Sequence, residues 1–143
     1  MPDEPPFFQQ ERDSSCVTAC LRMVLASYGI SKSEDDIIYE NQFVDGATPS
    51  DLVRAAMDLG FFRTVKASPT SHELQSWISQ GFHPIVWVRR SIGLIHTVVV
   101  LEIQAEDVRV HDPAGRVGDS RIPQIMFEEE RRAARGWAVI IRR

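Results

Sequence analysis

Residues 95–115 read IHTVVVLEIQAEDVRVHDPAG, and they decide the fold. Ile95 to Ile103 (IHTVVVLEI) and Val108 to Asp112 (VRVHD) are rich in β-branched residues, as strands are. Ala105 to Asp107 interrupts them, so the pair reads as a hairpin turning through residues 104–107. The expected registers set Asp112 opposite a position between His96 and Val99. An ionisable ring at the start of so apolar a strand is costly unless it has a partner, and the hairpin brings a carboxylate within its reach. Taken singly, His96 is a capped strand end and Asp112 opens an Asp-Pro turn.

Further strands lie on both sides. Pro84 to Arg89 (PIVWVR) precedes the hairpin, Trp137 to Arg142 (WAVIIR) follows it, and Phe61 to Ala67 reads as an earlier strand. The first half is mainly helical. Asp13, Ser14 and Ser15 offer N-cap side chains to a helix from Cys16 to Ser27, with Ala19, Met23 and Ala26 beside Cys20, Val24 and Ser27 along one stripe and Gly29 as its stop. Ser33 to Glu40 forms a short helix with Glu34, Asp35 and Asp36 at its positive end. Thr48 with Asp51, and Thr70 with Glu73, form capping boxes that open helices ending at Gly60 and Gly81. Helices first and strands later predict an α+β fold, its N-terminal helices packed on a C-terminal antiparallel sheet.

With 143 residues, the chain has the length of one domain, 1–143, in which residues 1–8 read as an extended or flexible arm. Hydrophobic residues at 43% and charged residues at 25% exclude a disordered or fibrous chain. A net charge of -4 argues against a phosphate backbone as partner, so no nucleic acid is expected. The acidic, proline-rich start MPDEPPFFQQ is unlike a signal peptide, and no apolar stretch is long enough to span a membrane. A cytoplasmic protein is expected, with a secreted effector as the alternative.

Two cysteines, Cys16 and Cys20, are too few for a disulfide framework. A thiol at a helix start is lowered in pKa, and a nearby imidazolium lowers it further, which makes a nucleophile. Cys16 has that place, while Cys20 lies one turn on and reads as packing. With no second cysteine pair, no metal and no cofactor is expected. Of the four histidines, His72 and His83 read as surface residues and His96 as the general base, oriented by Asp112. An amide in the extended stretch before Cys16 would complete an oxyanion site with the Cys16 backbone N–H. Gln10 fits, though spacing alone does not separate it from Gln9.

The run from Gln10 to Cys16, the following ACLRMVLASYG, the helix DLVRAAMDLGF and the segment His96 to Gly115 together resemble the bacteriocin-processing cysteine peptidase family. The likeness covers most of the chain in one order. It implies a papain-like domain of the kind found at the N-terminus of peptide exporters, which cuts leader peptides after a double glycine. It also implies Cys16 as nucleophile, His96 as general base and acid, Asp112 as orienting carboxylate and Gln10 as oxyanion donor. Ser15 and Val17 stand where the family usually has Asp and Gly, and the valine adds a β-branched side chain beside the site. No Walker-type Gly-Lys-Ser/Thr run occurs, so the expectation is a stand-alone domain whose partners are a peptide or protein substrate and a separate transporter or biosynthetic protein.

Two alternatives keep the same fold: an idle domain that binds a leader or partner peptide, and a deamidase or acyltransferase using the same catalytic unit. Elsewhere, Trp77, Trp87 and Trp137 read as core or rim packing. Glu128 to Arg132 (EEERR) reads as a solvated helix face with an i,i+4 pair between Glu128 and Arg132.

Overall fold

The computed structural model describes residues 3–90, 94–115 and 120–143. In chain order the described elements are α1 (Cys16–Ser27), α2 (Glu34–Asn41), α3 (Pro49–Asp58), β1 (Val65–Ala67), α4 (Ser71–Ser79), β2 (Ile85–Arg89), β3 (Ile95–Ile103), β4 (Asp107–His111), β5 (Ser120–Pro123), α5 (Gln124–Ala133) and β6 (Ala138–Ile140). The strands form one sheet in the order β1-β6-β2-β3-β4-β5, with every pairing antiparallel.

Alternation along the central strands explains the layering. Ile85, Trp87, Val99, Leu101 and Val139 join a core with Cys20, Leu21 and Val24 of α1, Ile37 of α2 and Leu52 of α3. Val86, Val88, Val98, Val100, Val108 and Val110 face the other way, onto Leu74 of α4 and Phe127 of α5. Strands buried on both faces read as continuous apolar runs rather than alternating ones, which is why VVVL appears in β3. The early helices pack on the sheet as expected, and α4 and α5 add a layer on its far face.

The cap chemistry of α2, α3 and α4 is the same: Ser33, Thr48 and Thr70 each accept from the third residue of the helix, whose Asp36, Asp51 or Glu73 carboxylate bonds back. Gly29 follows α1 at φ +82°, a backbone that suits glycine.

The structure corrects several expectations. The strand read over Phe61 to Ala67 shrinks to β1, because Thr64 N–H turns back to Phe61 O and Phe61 is buried in the helical core. Strand β5 is absent from the sequence reading, and α5 follows it directly, Pro123 leading into Gln124. Within EEERR, Glu128 pairs with Arg131 rather than Arg132, and Arg131 is buried while also donating to Pro69 O at 3.1 Å. His83 is half-buried rather than a surface residue, and burial pushes its imidazole below its ordinary pKa.

The arm over residues 3–10 has no helix or strand but is tied along its length. Asp3 N–H donates to Ser27 O at 3.3 Å, Glu4 pairs with Arg109, and the His111 ring meets Pro5 O at 2.9 Å and the Phe7 ring edge-on. Gln10 N–H ends the series on Pro113 O at 2.8 Å, next to the Asp112 turn.

Candidate active site

Helix α1 differs from its neighbours at its N-terminus. Ser15 is the N-cap residue but makes no side-chain cap bond. Its hydroxyl turns back instead, accepting from Arg12 N–H and donating to Arg12 O, both at 3.0 Å. The first N–H groups of a helix have no intrahelical partner and carry the positive end of its dipole. With no side-chain cap and no acidic residue in the first turn, that end is left for a negative charge at Cys16.

The half-buried Cys16 thiol meets the end of β3. Burial raises its pKa, but bonds from the His96 ring, the Thr97 hydroxyl and the Thr97 main chain outweigh it, and the net direction is down. Cys20, one turn further, is fully buried and its thiol is pushed well above the ordinary value by that burial. It donates to Thr97 Oγ1 at 3.6 Å, which leaves the hydroxyl hydrogen for Cys16. The two cysteines are thus split by environment.

His96 opens β3 opposite Val88, and β4 runs beside it with Val99 opposite His111. The residue after His111 is Asp112, whose Oδ1 lies 2.6 Å from His96 Nε2 and accepts from Ala114 N–H at 2.9 Å. Nε2 being taken, Nδ1 is the nitrogen left for the Cys16 thiol. Burial works against the imidazolium, yet the bonds to Asp112 and Cys16 push His96 up to about 9. Asp112 resists protonation in turn: burial is outweighed by His96, by Arg90 and by the Ala114 amide, which hold it well below the usual carboxylate range.

The structure therefore brings Cys16, His96 and Asp112 into one continuous chain of contacts. Gln10 is beside it, pinned through its backbone to Pro113 O, with Nε2 donating to Arg12 O at 2.8 Å and to Asp13 O at 3.3 Å. Its Oε1 is buried without a hydrogen-bond partner. Gln9 is exposed. One member of the site escaped the sequence: Arg90, just past β2, donates to Asp112 Oδ2 at 2.7 Å and has Glu130 of α5 behind it. Its neighbour Arg89 closes β2 as an exposed residue opposite Ile95.

Cys16, Val17, Trp87, His96 and Thr97 line a cleft of about 220 Å³ together with Asp45, Gly46 and Ala47. A second hollow of about 180 Å³ shares Ser14, Asp45 and Gly46 with it and leads toward Ile38 and Phe43. Three larger hollows, of about 620, 600 and 360 Å³, are lined by neither cysteine nor histidine. Chemistry rather than volume marks the site. Among the described residues no group of three His, Cys, Asp or Glu side chains is arranged to hold a metal ion, and no helix is long and apolar enough to cross a membrane.

Comparison with known proteins decides the lineage. The family model of the peptidase C39 family matches residues 4–131. The chain belongs to the peptidase C39 family. Among solved structures, this C39 family member is similar to the peptidase domain of Streptococcus ComA, a bi-functional ABC transporter of a quorum-sensing pathway, with 24% identity over 99% of this chain and 100% of that one and a TM-score of 0.82. A double glycine motif protease from an AMS/PCAT transporter, in complex with its leader peptide, matches at 22% identity over 97% and 91% with a TM-score of 0.77. A C39-like peptidase from Bacillus anthracis matches at 19% identity over 96% and 94% with a TM-score of 0.81. At these identities the likeness establishes the fold, which is the expected papain-like α+β arrangement. No curated protein matches the C39 chain.

Proposed function

We propose that this C39 family member is a thiol peptidase in which Cys16 is the nucleophile, His96 the general base and acid, Asp112 the orienting carboxylate and Gln10 an oxyanion donor. The observation that carries the reading is Asp112 Oδ1 at 2.6 Å from the His96 ring, which lines one cleft with Cys16 and lowers the pKa of its thiol. His96 takes the thiol proton, and the thiolate attacks a peptide carbonyl to form a tetrahedral oxyanion. That oxygen is met by the Cys16 backbone N–H and by the Gln10 hydrogen now on the longer, weaker bond to Asp13 O. The C–N bond breaks as His96 protonates the leaving amine. Water, deprotonated by His96, then releases the acyl group and restores the thiol.

We read the cleft and the second hollow, which share Ser14, Asp45 and Gly46, as the seat of an extended peptide. A leader ending in two glycines is the substrate we infer, supported by the family and by the activity named for the AMS/PCAT protease. Val17 narrows the cleft and favours small residues at the cut. A transporter or biosynthetic protein is the partner this reading assigns, and two free thiols suit the reducing cytoplasmic side.

The test is incubation with a panel of Gly-Gly leader peptides, followed by mass spectrometry. Scission by the wild-type protein and none by Cys16→Ala is the expected result. Full activity of Cys16→Ala rejects the reading, and a product of unchanged chain length with a converted side-chain amide assigns the deamidase instead.

A further inference from the structure

Asp112 is held from two sides. Its inner oxygen, Oδ1, is shared by His96 Nε2 and Ala114 N–H, and its outer oxygen, Oδ2, receives Arg90 at 2.7 Å. Arg90 is about one-third exposed, and its Nε lies 3.8 Å from Oε1 of Glu130, a side chain that is mostly buried and whose Oε1 has no hydrogen-bond partner. Charge thus alternates along a line: the Cys16 thiol, the His96 ring, Asp112, Arg90 and Glu130.

Resting on the assignment of His96 and Asp112 above, we propose that Arg90 is a positioning residue for the reaction, fixing the outer oxygen of Asp112 and balancing its charge against Glu130, so that it sets how tightly the carboxylate holds the His96 imidazolium. Asp112 faced by His96 alone would place its full charge on the ring and keep it protonated, and a ring held too tightly is slow to give its proton to the leaving amine. A guanidinium on the far oxygen offsets that charge without leaving the carboxylate unpaired. Ala114 N–H secures the aim of Oδ1 independently, so Arg90 acts chiefly through charge. The groups facing this line are Cys16 and Cys20 from α1, Asp112 at the end of β4, Arg90 at the end of β2 and Glu130 from α5.

The experiment is the pH profile of Cys16 alkylation by iodoacetamide, read by mass spectrometry on the full chain, alongside kcat against a cleaved leader peptide. In the wild type, Cys16 reactivity changes at alkaline pH as the imidazolium loses its proton. Arg90→Met removes a positive charge near the ring, so this limb moves up by about one pH unit while kcat falls. Arg90→Lys keeps the charge and the limb stays in place. Glu130→Gln removes a negative charge from the same line and moves the limb down by a smaller amount. A limb unmoved in Arg90→Met, or one that moves equally in Arg90→Lys, overturns the inference and leaves the triad standing. A wild-type profile in which Cys16 reacts no faster than Cys20 at pH 6 overturns both.

Discussion

His96 Nε2 and Asp112 Oδ1 stand 2.6 Å apart at adjoining strand ends, both side chains mostly shielded from solvent. The hairpin that joins them makes the distance a property of β-register rather than of a loop, and register is fixed by the apolar faces of β3 and β4. A carboxylate so placed selects one imidazole tautomer and stabilises its protonated form. Asp112→Asn keeps the shape and removes the charge. The expected result is a kcat lower by about 10² or more, with Cys16 alkylation at pH 6 slowed toward that of an ordinary thiol. Unchanged alkylation would separate Asp112 from the ion pair.

Stability carries the same signature at alkaline pH. The folded state pushes His96 from an ordinary 6.5 up to about 9, so its contribution is fully present below 6.5 and is lost as pH rises through about 9. Cys16 is shifted the other way from 9.0, and its contribution is complete only above that value. Urea denaturation between pH 6.5 and 9 should therefore show wild-type stability declining more steeply than that of His96→Gln. Parallel curves for the two proteins would contradict the raised imidazole.

Much of this was legible in the chain because local chemistry specified it. Cys16–Ser27 is helical at both expected ends, and the boxes at Thr48 and Thr70 cap the helices they were read to open. Continuous valines marked β3, and an Asp-Pro after VRVH put a carboxylate at the strand end. What failed depended on tertiary partners. Strand β5 is a half-exposed edge piece ending at Pro123, too short and too mixed to carry a period. Ser15 looked like a cap and is one by position, but its hydroxyl serves Arg12. Arg90 was one of two adjacent arginines until the sheet assigned it to Asp112.

Gln10 tests the oxyanion site. Its Nε2 is held by Arg12 O and Asp13 O in the turn before α1, and its backbone bond to Pro113 survives side-chain truncation. Gln10→Ala should lower kcat by about 10² to 10³ with KM little changed, because only the transition state carries the charge. Loss in KM alone would assign Gln10 to substrate binding.

Val17 tests the cleft width. It is 4% exposed and lines the wall beside Cys16. Val17→Ala removes two buried carbons, costing about 1.5 kcal/mol of stability in urea denaturation, and widens the cleft. Leader peptides with a bulkier residue at the cut should gain in kcat/KM relative to the Gly-Gly peptide. A constant ratio between the two peptides would show that Val17 packs against α1's surroundings without contacting substrate.

Glu34 tests what holds the segment before Cys16. It opens α2 with no exposed surface, its Oε2 accepting from Glu11 N–H at 3.0 Å and its Oε1 lying 3.9 Å from Arg12. The two residues so held stand between Gln10 and Cys16 in sequence, so α2 braces the segment that carries Gln10, the proposed oxyanion donor. Glu34→Ala leaves the Glu11 N–H without an acceptor, a cost of about 1–3 kcal/mol, and should lower kcat as the brace slackens. Glu34→Gln keeps an acceptor oxygen and removes only a charge that is expensive to bury. It should retain stability within about 1 kcal/mol and most of kcat. Equal losses in both variants, measured by urea denaturation and single-turnover cleavage, would instead make the charge at Glu34, with Arg12 beside it, the element that holds the segment.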